Sequence, residues 1–358
     1  MNVAFFEAIT PYWVDMNNHL YKELDFKHYY IYREYQKFDT ESLKKELYFE
    51  PNYLKKNVKN AFRFRELYRI IKENKPKNVI SVEFSLLTVQ LLIIKFLLFK
   101  RFKLIIRTDN SYEMLSNGFT RRNRIARRIL SPFIDNFIVC DKKVHNWYHE
   151  HYKRGCYFPI IRKEEKFIKN FKRASSLNDE ARKKYGIGDE IVVLYVGRLV
   201  KIKNIDIVLD AIDTIKDKRI TFLVCGDGED RERLAEKAKH NRHNTVFTGR
   251  LNGDELLACY NIADIFILPS TIEPFGAVTN EALVSGCHCI ISNLAGSVGI
   301  IEEGANGYPF TPTSKEELAC CILKLTDKIE KTGYRNNRKN LMQNTFDEYF
   351  NNIKNIIK

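Results

Sequence analysis

The sequence lacks the patterns that mark several large classes of protein. None of its eight cysteines forms a Cys-x-x-Cys pair, and no Cys/His spacing resembles a zinc site. The longest apolar run, residues 84–99, is interrupted by polar residues and is shorter than the roughly 20 residues that span a bilayer. The first residues contain no basic segment of the kind that opens a signal peptide. We therefore expect a cytoplasmic protein with reduced, buried thiols and no bound metal.

Glycine and negative charge are both scarce in the first half of the chain. Only Gly118 and Gly155 of the 16 glycines precede residue 175. Residues 1–174 contain 35 Lys/Arg against 19 Asp/Glu, whereas residues 175–358 contain 24 against 26. This asymmetry predicts an anionic partner for the first half, either a membrane surface or a polyanion, unless it reflects a general abundance of lysine.

One predicted helix concentrates this positive charge. Residues 121–130 carry five arginines beside an apolar stripe of Ile125, Ile129 and Leu130. Such a helix could rest on anionic lipid at the inner face of the cell membrane, or its arginines could simply face solvent.

Short apolar strands alternate with helical segments along the whole chain. The second half shows strands at 191–196, 220–225, 245–247, 265–268 and 287–292; the first half shows strands at 3–9, 79–82, 103–107 and 137–140. This alternation predicts parallel sheets covered by helices on both faces. We expect an α/β protein with two Rossmann-like doubly wound domains facing a cleft, at 1–170 and 175–335, with a polar linker at 162–177. A helix at 336–358 is expected to pack back on the first domain.

A turn bracketed by two carboxylates follows the strand at 265–268. Glu273 and Glu281 lie on either side of a Pro-Phe-Gly turn that opens a helix near Ala277. The free NH groups and partial positive charge at the start of a helix favour a phosphate, and flanking acceptors suit sugar and ribose hydroxyls. The alternative is a helix start in which glutamate merely complements the helix dipole.

A second loop with cations follows the strand at 191–196. Gly197 and Arg198 come directly after that strand, and Lys203 precedes the next helix. A guanidinium and an ammonium together could neutralise a diphosphate, although an isolated Gly-Arg is more often part of an ordinary surface loop.

Six ordered motifs give the second half a specific resemblance. It resembles the family 4 retaining glycosyltransferases of the GT-B fold over roughly residues 190–312. The motifs are Val196-Gly197-Arg198-Leu199 with Lys203, Cys225-Gly226-Asp227-Gly228, Phe247-Thr248-Gly249, the segment 263–270, the segment 273–281 and Asn306-Gly307.

The resemblance implies an enzyme that moves a sugar from a UDP- or GDP-linked donor to an acceptor hydroxyl, in the synthesis of cell-surface polysaccharide or a lipid-linked glycan. The domain at 1–170 would bind the acceptor and that at 175–335 the donor. Arg198 and Lys203 would bind the diphosphate, and Glu273 the sugar hydroxyls. The remaining donor contacts would come from Gly197, Phe247, Arg250, Phe275, Gly276, Ala277, Val278 and Glu281. Fixed cations at the leaving group make a metal or other cofactor unnecessary.

The sequence departs from the family pattern in three places. Residues 8–13 after the first strand contain no glycine, and Gly299 stands where a glutamate is frequent. The strand end at 106–110 has no histidine, so that Asp109 is the candidate for a polar catalytic contact, or else a strand-end cap. His145 and His149 are spaced i, i+4, but no third zinc ligand is evident.

Two alternatives to an active transferase are compatible with the sequence. One is a nucleotide-sugar-binding relative without transfer activity, because the histidine is missing. The other is a nucleic-acid-binding protein that uses the basic half, although that half contains no recognisable nucleic-acid-binding module.

Overall fold

A computed structural model of the protein describes residues 1–34, 39–55, 63–99, 101–116 and 121–358, without the side chains of 121–123 and 336–337. The chain divides into two compact units. The first comprises Met1–Arg162 and Phe346–Lys358, and the second comprises Lys163–Thr345.

The first unit contains a seven-stranded sheet in the order β3-β2-β1-β4-β5-β6-β7, in which every pairing is parallel. The strands are β1 (Asn2–Phe6), β2 (Phe26–Tyr30), β3 (Asn52–Tyr53), β4 (Asn78–Val82), β5 (Lys103–Thr108), β6 (Asn136–Val139) and β7 (Cys156–Tyr157). The helices are α1 (Val14–Leu24), α2 (Thr40–Lys45), α3 (Phe64–Asn74), α4 (Leu86–Leu97), α5 (Tyr112–Ser116), α6 (Arg121–Leu130) and α7 (Lys142–Tyr152). The sequence pattern also predicts a helix at 61–72, and the first two of those residues lie outside the described part of the chain.

The second unit contains a six-stranded parallel sheet in the order β10-β9-β8-β11-β12-β13. The strands are β8 (Ile191–Val196), β9 (Ile220–Cys225), β10 (Asn244–Gly249), β11 (Ile265–Leu268), β12 (His288–Ser292) and β13 (Gly307–Phe310). The helices are α8 (Glu164–Ala174), α9 (Asn178–Tyr185), α10 (Ile205–Thr214), α11 (Arg231–Ala238), α12 (Gly253–Ile262), α13 (Val278–Ser285) and α14 (Lys315–Thr332).

The central strands of both sheets are buried along almost their whole length. Every residue of β1, β9, β11 and β12 is buried. Burial on both faces is expected for a parallel sheet that is covered by helices on each side, and it explains the continuous apolar runs in the sequence. Each sheet reverses its strand order once, between β1 and β4 and between β8 and β11. Ligands of doubly wound sheets bind at such reversals, beyond the carboxyl ends of the strands.

The segment 162–177, in which the sequence pattern predicts a linker, contains a packed helix of the second unit. The ring of Phe171 in α8 meets that of Tyr260 edge-on at 6.0 Å. Asn261 Nδ2 donates to the carbonyl of Phe171 at 2.9 Å. Most of the segment predicted as a polar linker is therefore helical. The charged residues of α8 lie on its outer side, which is why the segment looks weakly patterned in the sequence.

The last helix, α15 (Phe346–Ile357), belongs to the first unit and begins ten residues later than the sequence predicts. Phe346 and Phe350 pack edge-on against Phe158. Asn78 Nδ2 donates to the carbonyl of Ile357 at 3.0 Å, and Lys354 pairs with Glu23 at 2.5 Å. In the described part of the chain no helix has the length and apolar character needed to cross a bilayer.

A buried carboxylate stabilises the edge of the second unit opposite to the candidate site. The side chain of Asp264 is only 3% exposed. It accepts hydrogen bonds from the backbone NH of Val192 at 2.8 Å and from Arg335 Nε at 2.7 Å. Arg335 also donates to the carbonyls of Asp189 and Glu190. One arginine thus connects the start of β11 with the segment before β8.

We predict that Arg335→Ala lowers the free energy of unfolding by about 3 kcal/mol, because it leaves the buried carboxylate of Asp264 without its counter-ion. The melting temperature should fall by about 5–10 °C. Arg242→Ala is the matched control: it removes an arginine 3.7 Å from Asp213, where both side chains are 46% exposed. That exposed pair should contribute less than about 1 kcal/mol. Equal shifts for the two variants would contradict the assignment.

Candidate functional site

The reversal in the second sheet brings two predicted loops together. One loop follows β8 and contains Arg198 and Lys203; the other follows β11 and contains Glu273. The backbone NH of Thr271 donates to the carbonyl of Ile202 at 2.9 Å, which joins the two loops directly. Two motifs separated by 70 residues therefore form one site at the carboxyl edge of the sheet.

Lys203 and Glu273 form an ion pair at this site. Their side chains are 14% and 11% exposed, and Lys203 Nζ donates to Glu273 Oε2. Ser270 Oγ donates to the same oxygen at 3.3 Å. The sequence predicts that Lys203 binds the diphosphate and that Glu273 binds the sugar. In the structure the two side chains neutralise each other's charge. A donor would thus bind to a site whose buried charges are already balanced.

Arg198 is an exposed cation of the site. Within the described residues no carboxylate pairs with its guanidinium, whereas its carbonyl accepts a hydrogen bond from the hydroxyl of Tyr195 at 2.9 Å. That contact holds the backbone at Arg198 against the buried ring of Tyr195 and leaves the side chain in solvent. Burial raises the pKa of Tyr195, with a further contribution from the charge of Glu273, so that the hydroxyl remains a donor.

Gly197 and Gly226 allow two strand-end turns to touch. Gly197 NH donates to the carbonyl of Cys225 at 3.0 Å. A Cβ on Gly226 would lie 1.8 Å from the carbonyl oxygen of Gly197, which excludes any larger residue there. The backbone near Gly197 is therefore fixed by its neighbour.

The turn before α13 has the geometry of an anion site. In the described part of the chain, the backbone NH groups of Gly276, Ala277 and Val278 have no acceptor. Gly276 has φ +93°, and a Cβ there would lie 2.4 Å from Leu268 Cδ2. Consecutive free NH groups at a helix start favour phosphate. The carbonyl of Phe275, whose ring is buried, accepts from Ser297 NH at 2.8 Å.

Glu281 is held by a residue that the motif does not contain. Tyr260, fully buried in α12, donates its hydroxyl to Glu281 Oε2 at 3.0 Å. Thr279 and Ser297 share a hydrogen bond of 2.9 Å, which joins α13 to the turn Gly296–Ile300. No sequence pattern predicts the contact between Tyr260 and Glu281. Ser270, by contrast, lies three residues before Glu273, and this spacing makes it a predictable neighbour of that carboxylate.

At the end of β10, Phe247 lies against the core and Arg250 lies on the surface. The ring of Phe247 packs against the hydrophobic core of the second unit. It also lines a cavity of about 480 Å³ together with Asn244 and Thr245, which lie toward the amino end of β10. Arg250 is exposed at the carboxyl edge. The contact of this turn with a nucleotide base stays a prediction.

Asp109 lies at the carboxyl edge of the other sheet, within a network of its own. Trp13 Nε1 donates to its Oδ2 at 3.1 Å, and Arg107 Nε lies 3.8 Å from its Oδ1. The backbone NH of Asp109 donates to Glu83 Oε1 at 2.9 Å. Burial, followed by the charge of Asp109, raises the pKa of Glu83. The carboxylate of Asp109 is thus positioned by a tryptophan 96 residues away, and the sequence contains no signal for that contact.

The histidines of α7 contact one another and the backbone. The rings of His145 and His149 stack at 6.1 Å, and His151 Nδ1 contacts the carbonyl of Trp147 at 2.8 Å. Among the described residues no cluster of three or more His, Cys, Asp or Glu side chains has a metal-binding arrangement.

This combination of a doubly wound sheet, cations at its reversal and a free-NH turn defines a candidate nucleotide-binding α/β unit. Residues 178–345 match the family model described as glycosyl transferases group 1. The match covers most of the second unit, and the resemblance to glycosyltransferases that the motifs predict is confirmed. Membership of family 4 in particular stays a prediction.

Individual relatives agree with this assignment. The chain is 36% identical over 157 residues to the uncharacterized glycosyltransferase MJ1607 of Methanocaldococcus jannaschii; the match covers 42% of this chain and 37% of that protein. It is 25% identical over 310 residues to MJ1069 of the same organism, covering 83% and 78%.

A solved structure extends the likeness to the whole chain. HepE of Anabaena in complex with UDP has a TM-score of 0.73 at 16% identity, over 99% of both chains. Identity this low shows the fold alone, and it confirms the predicted α/β fold with two Rossmann-like units.

We predict that Gly276→Ala destabilises the second unit by about 2–3 kcal/mol, because the new methyl group meets buried Leu268 in a left-handed turn. Gly186→Ala is the matched control: Gly186 also has positive φ, +64°, but nothing lies within 4 Å of its Cβ position. The control should lose only about 1 kcal/mol. Thermal unfolding measures both, and a loss for Gly276→Ala no greater than for the control would contradict the clash.

Proposed function

We propose that the protein is a retaining, metal-independent glycosyltransferase of family 4 that transfers a sugar from a UDP- or GDP-linked donor to an acceptor hydroxyl. The acceptor belongs to cell-surface polysaccharide or to a lipid-linked glycan. The observation that carries the proposal is the convergence of Arg198, the Lys203–Glu273 pair and the free-NH turn at one sheet reversal.

The charges of the site match the two ends of a nucleotide sugar. Cleavage of the bond between sugar and diphosphate leaves negative charge on the departing phosphate and positive character on the sugar. Arg198 and the NH groups of residues 276–278 are fixed donors for that phosphate, and fixed donors stabilise developing charge without reorganisation. These groups replace a metal in the proposed mechanism.

The Lys203–Glu273 pair gives the donor site an internal counter-ion. When a diphosphate approaches Lys203, Glu273 can release part of its interaction and accept hydrogen bonds from sugar hydroxyls instead. Since both side chains are nearly buried, the exchange is favourable only when both new partners arrive together. A complete nucleotide sugar supplies both partners, whereas a nucleotide alone supplies one.

Glu281, held by Tyr260, is proposed to accept from the ribose hydroxyls, and the turn with Phe247 and Arg250 to border the base. HepE binds UDP and UDP-glucose, which supports uridine nucleotides as the first donors to test. Asp109 is proposed as the polar contact to the reacting sugar or acceptor. A contact of the first unit with anionic membrane at the inner face of the cell membrane is part of the same hypothesis.

We expect a thermal-shift screen to identify the donor. UDP- or GDP-sugars should raise the melting temperature in proportion to the logarithm of their concentration above Kd. Arg198→Gln should weaken UDP or GDP about tenfold to a hundredfold, because a charged hydrogen bond to phosphate is lost. Binding of the uncharged nucleoside should not change.

Arg219→Gln serves as the control, since Arg219 is exposed and directly precedes β9 at the opposite edge of the sheet. Nucleotide sugars that leave the melting temperature unchanged would refute the proposal. Equal weakening of nucleotide and nucleoside by Arg198→Gln would refute the phosphate role.

Glu273→Gln should separate binding from transfer. The amide keeps the size of the side chain but removes the charge that neutralises Lys203, so that UDP or GDP alone should bind as tightly as before or more tightly. Transfer should fall about tenfold to a hundredfold in kcat/KM, because hydrogen bonds from sugar hydroxyls to a carboxylate are lost. Isothermal titration and a transfer assay with a lipid and glycan acceptor panel measure the two effects.

The same assay tests the stereochemistry and the metal. The anomeric configuration of the product should equal that of the donor sugar, and EDTA should leave the rate unchanged. Donor binding without transfer to any acceptor would instead support a binding protein that has lost activity. An inverted product would contradict the retaining mechanism.

A further inference from the structure

We propose that α4 and the α6 segment of the first unit form a docking face for an anionic lipid bilayer. The lipid face consists of six exposed apolar side chains: Phe96, Leu97, Phe99, Ile125, Ile129 and Phe133. This inference rests on the membrane contact included in the proposed function, and it assigns that contact to a surface that shares no residue with the donor site.

The exposure of these side chains is high for large apolar residues. Phe99 is 87% exposed, Ile129 58% and Leu97 56%. Single exposed apolar residues are ordinary, but a group of them on neighbouring elements marks an interaction surface. The buried sides of α4 already pack in the core of the first unit through Leu87, Leu91 and Ile94, so the exposed side is not needed for folding.

Contacts at two points hold α6 beside α4. The rings of Phe96 and Phe133 meet edge-on at 5.6 Å, which joins the end of α4 to the turn Ser131–Phe133 after α6. The guanidinium of buried Arg127 lies 5.5 Å from the ring of Phe84, next to the start of α4. The two helices therefore contribute to one continuous surface.

The structure corrects the stripe predicted for this helix. Leu130, grouped with Ile125 and Ile129 in the sequence, packs against the core. Ile125 and Ile129 remain exposed, one turn apart, and Arg124 and Arg128 lie beside them on the surface. Apolar and cationic side chains thus alternate along the outer side of α6, an arrangement that suits the boundary between headgroups and acyl chains.

The charge around the lipid face is almost entirely positive. Among the described side chains of residues 84–103 and 121–135, six are Lys or Arg and one, Asp135, is acidic. That aspartate pairs with Lys95. Arg124, Arg128 and His151 also line a cavity of about 460 Å³, whose two arginines could bind a phosphate headgroup. Anionic lipid complements this surface.

A second copy of the chain and a nucleic acid match this surface less well than a bilayer does. A second copy of the chain would bring the same dense positive charge against itself, which opposes association. A nucleic acid would satisfy the arginines but would leave the exposed Phe and Ile side chains in water. Only a bilayer with anionic headgroups matches both the cations and the apolar side chains.

Vesicle flotation without any sugar donor tests the proposal. The protein should float with vesicles containing about one-third phosphatidylglycerol in phosphatidylcholine, and remain in solution with phosphatidylcholine alone. Ile125→Ser combined with Ile129→Ser should lower the partition coefficient at least about tenfold, because two apolar side chains no longer enter the bilayer. Arg124→Gln combined with Arg128→Gln should lower it by a similar factor and weaken its salt dependence.

Two matched controls distinguish binding through the lipid face from nonspecific adsorption to vesicles. Tyr48→Ser removes another exposed large side chain of the first unit, 64% exposed. Lys216→Gln with Arg219→Gln removes two exposed charges of the second unit. Both should float like the unchanged protein, and all variants should keep its melting temperature and its response to UDP.

Three results would overturn the proposal. They are no flotation with anionic vesicles at low salt, equal losses in the controls and the lipid-face variants, or a dimer that the Ile125→Ser and Ile129→Ser changes dissociate while flotation stays unchanged. Because UDP binding is measured separately, a failure here leaves the proposed transfer activity open to its own test.

Discussion

Parallel pairing of every strand is the constraint on which the rest of the structure depends. It requires a helical crossover between neighbouring strands, buries both faces of each sheet and collects all carboxyl ends at one edge. Where the strand order reverses, two adjacent crossovers leave in opposite directions and the loops beyond the strands open a space between them. In the second unit that space contains the ends of β8 and β11. The ion pair, the free-NH turn and exposed Arg198 all occur at that reversal.

Local chemistry then specifies the shape of that edge. Gly276 permits a turn that a side chain would block. The hydrogen bond between Thr279 and Ser297 joins the start of α13 to the turn Gly296–Ile300. The hydroxyl of Tyr260 donates to Glu281. In the first unit the equivalent edge is built differently. There an indole, a buried guanidinium and a carboxylate with raised pKa surround Asp109. The carboxyl edge of the second unit is thus shaped largely by backbone groups, whereas that of the first unit is shaped by large side chains.

The sequence predicts the second unit better than the first, for physical reasons. Strands such as Ile191–Val196 are uniformly apolar and are followed by glycine, so their bounds are predicted to the residue. Strand Phe26–Tyr30 contains Lys27 and His28, and α1 buries Asn17 and Asn18, so neither has an apolar pattern. Motifs place Lys203 and Glu273 in one site, but no pattern shows that they pair with each other. The Trp13–Asp109 contact likewise depends on tertiary packing alone.

The Lys203–Glu273 pair has a consequence for selectivity among the anions of a cell. A site with two unpaired cations would be occupied by inorganic phosphate, which is abundant and small. Here such an ion competes with a tethered carboxylate that is always present at high local concentration. Inorganic phosphate lacks the array of hydroxyl groups with which a sugar could compensate Glu273 for the loss of its lysine. In the proposed mechanism the ion pair therefore competes internally with any ligand, and a ligand displaces it in proportion to how many of the two charges it can satisfy.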